Sequence, residues 1–192
     1  MINLRKPLIL ASNSPRRKQL LTDSGFAFTI DVKPTDESFP ADLPAKDVAA
    51  YICEQKAAVF VDDSMGKIIL TADTVVIAEN RILGKPADAA EAFEMLRLMS
   101  GKTHDVVTAV TILTDGQMET ISDTATVYFR ELADSEISYY IEQCKPFDKA
   151  GAYGVQEWIG MTGIERIEGS FYTIMGLPVH IVYQKLKPFF RD

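Results

Sequence analysis

The stretch from Leu8 to Leu21, LILASNSPRRKQLL, constrains the fold of this chain more than any other. Leu8, Ile9 and Leu10 form a short apolar run after Pro7, which suits a strand buried on both faces, and Ser12-Asn13-Ser14 breaks it. Ser14-Pro15 then reads as a helix start. A serine side chain caps free backbone N–H groups, and proline fits the first helical position, where no N–H is needed. Arg16 and Arg17 place two cations where the helix dipole is already positive, so something anionic belongs there. A strand leading into a helix N-terminus, with the hydroxyls of Ser12 and Ser14 and two arginine forks around it, has the parts of a phosphate site. The alternative is a solvated first turn whose arginines meet carboxylates elsewhere.

At 192 residues the chain makes one large domain or two intimate lobes with a sizeable core. Its 47% hydrophobic and 24% charged content is that of a soluble globular protein. A net charge of −7 argues against a general nucleic-acid binder, so the basic residues that matter should be clustered, as Arg16 and Arg17 are. Cys53 and Cys144 lie far apart without a CxxC pattern, and the N-terminus lacks a signal-peptide apolar region, which points to a reducing cytoplasm. Both cysteines fall on expected helices and read as small core residues. No apolar run approaches the ~20 residues of a membrane span.

Further along, Phe26, Phe28, Ile30 and Val32 alternate as in a half-buried strand that delivers Asp36 and Glu37 into a loop bracketed by Pro34 and Pro40. Pro44 opens a helix with Val48, Ile52 and Val59 on one face and Lys56 at the edge of that stripe. There Lys56 either snorkels to water or directs its ammonium into a cleft. Lys67 to Ile77, KIILTADTVVI, is an apolar strand pattern interrupted by Asp73. A carboxylate inside such a run is costly unless paired, metal-bound or at the rim of a cleft, which makes Asp73 the strongest single functional candidate.

A turn at Asn80-Arg81 brings Gly84-Lys85-Pro86 back toward that strand, where Lys85 can face Asp73. Asp88 and Glu91 resemble a capping box ahead of a packed helix that Gly101 ends. Gly101-Lys102-Thr103 is no phosphate loop, because Leu96 stands where that loop needs glycine. His104 and His180 lack partners at zinc-ligand spacing and fit no serine–histidine–aspartate triad. Two strands flank the hairpin turn Asp115-Gly116, and Ser135 caps a helix with Ile137, Tyr140, Ile141 and Cys144 inward. The loop Asp148 to Gln156 holds small residues that let backbone approach a ligand, and Gln156 offers both a donor and an acceptor to a base edge. Ile164 to Ile167 reads as a last strand. A final helix after Gly176-Leu177-Pro178 turns Val179, Val182, Tyr183 and Leu186 inward.

Taken together, SPRRKQLL, ADTVV (Ala72 to Val76), Gly84-Lys85-Pro86, SGKTHDVVTAV from Ser100, DKAGAYGVQ from Asp148, EGS and MGLPV resemble, in order, the blocks of the Maf family of nucleotide pyrophosphatases. The resemblance covers almost the whole chain. It implies an elongated α/β protein, a single domain over 1–192, with a mixed sheet and a nucleotide cleft between two lobes. It also implies hydrolysis of nucleoside triphosphates to the monophosphate and pyrophosphate with Mg²⁺ or Mn²⁺, and a homodimer. ADTVV and AGAYGVQ are similar to the branch acting on dTTP and UTP. By resemblance Asp73 is the proton acceptor, Arg16, Thr74 and Gln156 set base preference, and Ser12, Arg17, Glu37, Lys56 and Lys85 line the cleft. Phe171 and Thr173 depart from the family's more usual Tyr and Asn.

The residues suit that chemistry in their own right. Attack of water on an α-phosphorus needs a base, a metal on phosphate oxygens and cations for the departing pyrophosphate. Asp73 can take the proton or share the metal with Glu37, while Lys56, Lys85, Arg16 and Arg17 surround the phosphates. Two alternatives stay open: a non-hydrolysing nucleotide sensor linked to cell-division arrest, and a pyrophosphatase preferring methylated GTP.

Overall fold

The computed structural model describes residues 2–191. Its frame is a mixed seven-stranded sheet in the order β2-β1-β3-β5-β6-β7, with β4 paired to β3. β1 (Leu8–Leu10) runs parallel to both β2 (Thr29–Ile30) and β3 (Ile68–Ala78). β4 (Arg81–Leu83) is antiparallel to β3, and β7 (Ile164–Glu168) is antiparallel to β6 (Gln117–Phe129). β5 (Thr103–Thr114) connects to β6 through Asp115-Gly116, both at positive φ as a two-residue hairpin requires. The α/β class expected from the sequence is the one observed.

By contacts the chain forms two compact units. One holds the residues up to Asp73, Thr108–Asp123 and those from Gly176 on; the other holds Thr74–Val107 and Thr124–Met175.

In the first unit, α1 (Pro15–Asp23) starts as its sequence dictates, with Pro15 in the first turn and the Ser14 hydroxyl accepting from Arg17 N–H. α2 (Val48–Ala58) follows a 3₁₀ turn at Ala45–Asp47 and buries Val48, Ala49, Ile52, Cys53 and Ala57. Ala11, Ala57, Phe60, Ile69 and Leu113 form a core cluster, and α7 (Val179–Leu186) buries Val182 and Leu186. Tyr183 of α7 stays 42% exposed, its ring edge-on to Phe26 and Phe190, instead of turning inward.

The half-buried strand expected from Phe26 to Val32 shrinks to Thr29–Ile30, with Ile30 exposed. It lies at the sheet edge, and its partner β1 is itself three residues long, so register allows Ile9–Thr29 and Leu10–Ile30 alone.

In the second unit, α3 (Ala89–Met99) and α4 (Asp134–Cys144) pack over a cluster that includes Val76, Leu96, Met99, Phe129, Ile137, Tyr140 and Tyr153. The hairpin turn falls at Glu79-Asn80, one residue earlier than expected, because Ala78 pairs with Arg81. α4 is capped at Ala133 rather than at Ser135: the Glu136 carboxylate takes Ala133 N–H and also holds Arg130 in a two-pronged pair. α5 (Trp158–Gly163) and α6 (Phe171–Met175) are too short to show a helical period and were not foreseen.

Candidate functional site

Strand alternation places Thr71 and Asp73 on the same face of β3, and Cys53 and Lys56 lie one turn apart on α2. These two pairs lock the elements together. Thr71 Oγ1 donates to Cys53 O at 2.9 Å, and Cys53 Sγ sits 3.2 Å from the same hydroxyl, 3.3 Å from Thr111 Oγ1 and 3.5 Å from Ala109 O. Burial pushes the Cys53 thiol pKa up, so it serves as a neutral spacer.

With the helix so fixed, Lys56 Nζ reaches Asp73 Oδ1 at 2.8 Å and Glu37 Oε1 at 3.0 Å. The side chains of Lys56 and Asp73 are 17% and 12% exposed, whereas that of Glu37 is 58% exposed on its loop. Asp73 is thus a carboxylate at the rim of the buried run, paired as the sequence reading required.

The β1–α1 turn adds the cations. Arg17 Nε donates to Gly176 O at 2.8 Å and Nη1 to Ser12 Oγ at 3.3 Å, while Ser12 Oγ also accepts Ser14 N–H at 3.3 Å. Burial pulls the Arg17 pKa below its ordinary value, while nearby Asp73 raises it and neighbouring Arg16 lowers it further. A guanidinium titrates so high that Arg17 stays charged. Ser12, Ser14, Arg16, Arg17, Glu37, Lys56 and Asp73 therefore share one neighbourhood of the first unit.

Thr74, Lys85 and Gln156 belong to the second unit. Thr74 is partly buried and follows Asp73 directly on β3. The ammonium on Asp73 is that of Lys56; Lys85 stands exposed, two residues past β4. Gly151 N–H donates to Gly84 O at 3.0 Å, which ties the Gly84-Lys85-Pro86 segment to the loop that carries Gln156. Gln156 is exposed in a four-residue turn closed by Glu157 N–H on Gly154 O at 3.0 Å.

The polar roles of three residues around that turn escaped the sequence reading, which had only placed Tyr140 inward on its helix. Lys149, 8% exposed, pairs with Asp148 at 2.7 Å and Glu157 at 3.0 Å, and the buried Tyr140 hydroxyl donates to Glu157. A charged side chain inside a run of small residues was the available signal for Lys149.

A carboxylate held by an ammonium, beside a guanidinium and hydroxyls at a strand-to-helix turn, defines an α/β protein equipped to hold a polyanion and to move a proton next to it. The Maf-like protein family model matches residues 7–189, and the chain belongs to that family. It is 46% identical to a Porphyromonas gingivalis dTTP/UTP pyrophosphatase, over 97% of this chain and 96% of that protein. Relatives of the same name from Bacteroides thetaiotaomicron (45%, covering 94% of each chain) and Christiangramia forsetii (44%, covering 94% of this chain and 92% of the relative) are similar. The solved structure of the Staphylococcus aureus Ham1 protein superimposes with a TM-score of 0.54, covering 95% of this chain and 99% of that one at 12% identity, a likeness of fold alone.

Proposed function

We propose that this chain hydrolyses dTTP and UTP, and modified pyrimidine nucleotides of the same shape, to the monophosphate and pyrophosphate. The observation that carries this reading is the placement of Lys56 between Asp73 and Glu37, two carboxylates that also act electrostatically on Arg17. Full-length relatives named dTTP/UTP pyrophosphatases support the substrate, and the unbroken family match across residues 7–189 supports 1–192 acting as one functional domain.

In the reaction, a water oxygen bonds to the α-phosphorus, the bond to the bridging oxygen breaks, and pyrophosphate leaves with that electron pair. Asp73 takes the water's proton. Lys56 holds the carboxylate in place and offsets charge that builds on the phosphates. Arg17, held by Gly176 O and Ser12, directs its guanidinium charge to phosphate oxygens, with Arg16, Ser14 and the exposed Lys85 adding donors. Thr74 and Gln156 meet the base; the glutamine amide both donates and accepts, as the pyrimidine edge of uracil or thymine requires.

Among the described residues no three or more His, Cys, Asp or Glu side chains gather as a metal cage. Glu37 and Asp73, whose oxygens converge on one Nζ, still fit Mg²⁺ or Mn²⁺, which bind through one or two carboxylates and leave positions for water and phosphate. These two would hold the ion, which when bound draws charge from phosphate oxygens.

Pyrophosphate release from a panel of triphosphates with Mg²⁺ or Mn²⁺, comparing the native chain with Asp73→Asn, tests this reading. Cleavage of dTTP and UTP should be at least ~100-fold slower in the variant, the scale of a lost general base. Binding of dTTP or UTP without cleavage by the native chain would overturn it.

A further inference from the structure

The four-residue turn Gly154–Glu157 that presents Gln156 is held at both ends by one hydroxyl. Tyr140 Oη accepts Gly154 N–H at 3.0 Å and donates to Glu157 Oε2, while Glu157 Oε1 takes the Lys149 ammonium at 3.0 Å. The Glu157 side chain thus folds back under its own turn, across the face of Gly154. A Cβ at residue 154 would stand 2.8 Å from Glu157 Cδ, so this packing needs glycine there. Tyr140 is fully buried on α4, and Lys149 is 8% exposed at the start of the loop, so the anchors belong to the core while Gln156 is exposed.

We propose that Glu157 is a positioning residue for base selectivity: with Tyr140 and Lys149 it fixes the turn that aims Gln156, and so sets preference among bases without touching the nucleotide. This rests on the reading of Gln156 as the base-facing residue.

Three features favour this role over generic stabilisation. Both Glu157 oxygens are used, each on a different anchor, so the carboxylate fixes the orientation of the turn as well as its place. Burial and the Glu157 carboxylate push the Tyr140 pKa far up, so the hydroxyl stays a donor to Glu157 at every working pH. The clamp also closes on the two residues that bound the turn, Gly154 and Glu157, and leaves the Gln156 side chain free to point outward.

The test is steady-state hydrolysis of UTP, dTTP, CTP and GTP by Glu157→Ala, Glu157→Gln, Tyr140→Phe, Gln156→Ala and the double variant Gln156→Ala/Glu157→Ala, with melting curves for each. Losing the clamp should raise KM for UTP and lower the UTP-over-CTP preference by about tenfold, with kcat within about threefold of native, the scale of one deleted hydrogen bond. Tyr140→Phe removes one oxygen from a different element and should give the same shift even if Glu157→Ala folds poorly. Glu157→Gln, which keeps an acceptor for Tyr140, should lie between native and Glu157→Ala. In the Gln156→Ala background, Glu157→Ala should change the base preference no further.

Lower melting temperatures with native selectivity in Glu157→Ala and Tyr140→Phe, beside a Gln156→Ala that loses selectivity, would overturn the positioning role alone. Native selectivity in Gln156→Ala would overturn the base-facing reading, and this inference with it.

Discussion

Lys56 Nζ sits 2.8 Å from Asp73 Oδ1 because Cys53, one turn earlier on the same helix, is bonded to Thr71, two residues earlier on the same strand face. The pair is therefore set by a packed latch and not by the mutual attraction of two flexible side chains. Replacing Lys56 with Met keeps the aliphatic stem and deletes the charge. With the pair mostly withdrawn from water, the lone Asp73 carboxylate should destabilise the fold by about 1–2 kcal/mol, less than a fully buried pair would. The kcat for UTP should fall by about 100-fold, the scale of a lost electrostatic stabiliser. Urea unfolding and pyrophosphate release measure the two effects separately. A Lys56→Met enzyme with native kcat would remove Lys56 from the reaction.

The α/β class and the local features around Asp73 and the start of α1 were legible in the sequence. Asp73 announced itself by interrupting an apolar run, and the serine–proline–arginine start of α1 announced its cap. Both signals are local and depend on burial cost or terminal N–H groups, which a sequence displays directly. The edge strand after Phe26 did not shrink for any local reason; its length was set by the three residues of β1, a partner distant in sequence. Its place on the helix stripe left Lys56 either snorkelling to water or entering a cleft, because its pairing depends on the Cys53–Thr71 latch, two small residues that meet across the fold. Tyr140 looked like one more residue of an apolar stripe. Its buried ring filled that role, while its hydroxyl took a second one that helical periodicity cannot register.

Gly151 is a second point where distant segments meet. Its φ is +68°, and a Cβ there would lie 3.0–3.2 Å from the Val76 side chain. Gly151→Ala adds left-handed strain to overpacking and should destabilise by about 2–3 kcal/mol. The two closest atoms are Cγ1 and Cγ2 of Val76, so Val76→Ala removes both and leaves only Cβ at 3.2 Å from the new methyl. The double variant should be more stable than the sum of the single changes by about 1 kcal/mol. Strict additivity in urea unfolding would mean that the loop, and not Val76, gives way.

His104 gives the fold a dependence on pH that can be separated from the carboxylates. Its ring is 3% exposed, with Nε2 2.7 Å from Tyr153 Oη and Nδ1 without a hydrogen-bond partner among the described residues. Burial lowers its pKa from 6.5 to about 4, with Asp105 opposing weakly. The unfolded chain therefore binds this proton at higher pH than the folded one does. The stabilisation is complete above about pH 6.5 and is lost as pH falls from there toward about 4. His104→Gln keeps polar atoms beside Tyr153 and removes the titration. Between pH 7 and pH 5 the native chain should lose about 2 kcal/mol more unfolding free energy than His104→Gln, in proportion to the shift. Parallel losses in the two proteins would show that His104 is protonated as readily in the fold as outside it, and that its ring is open to water.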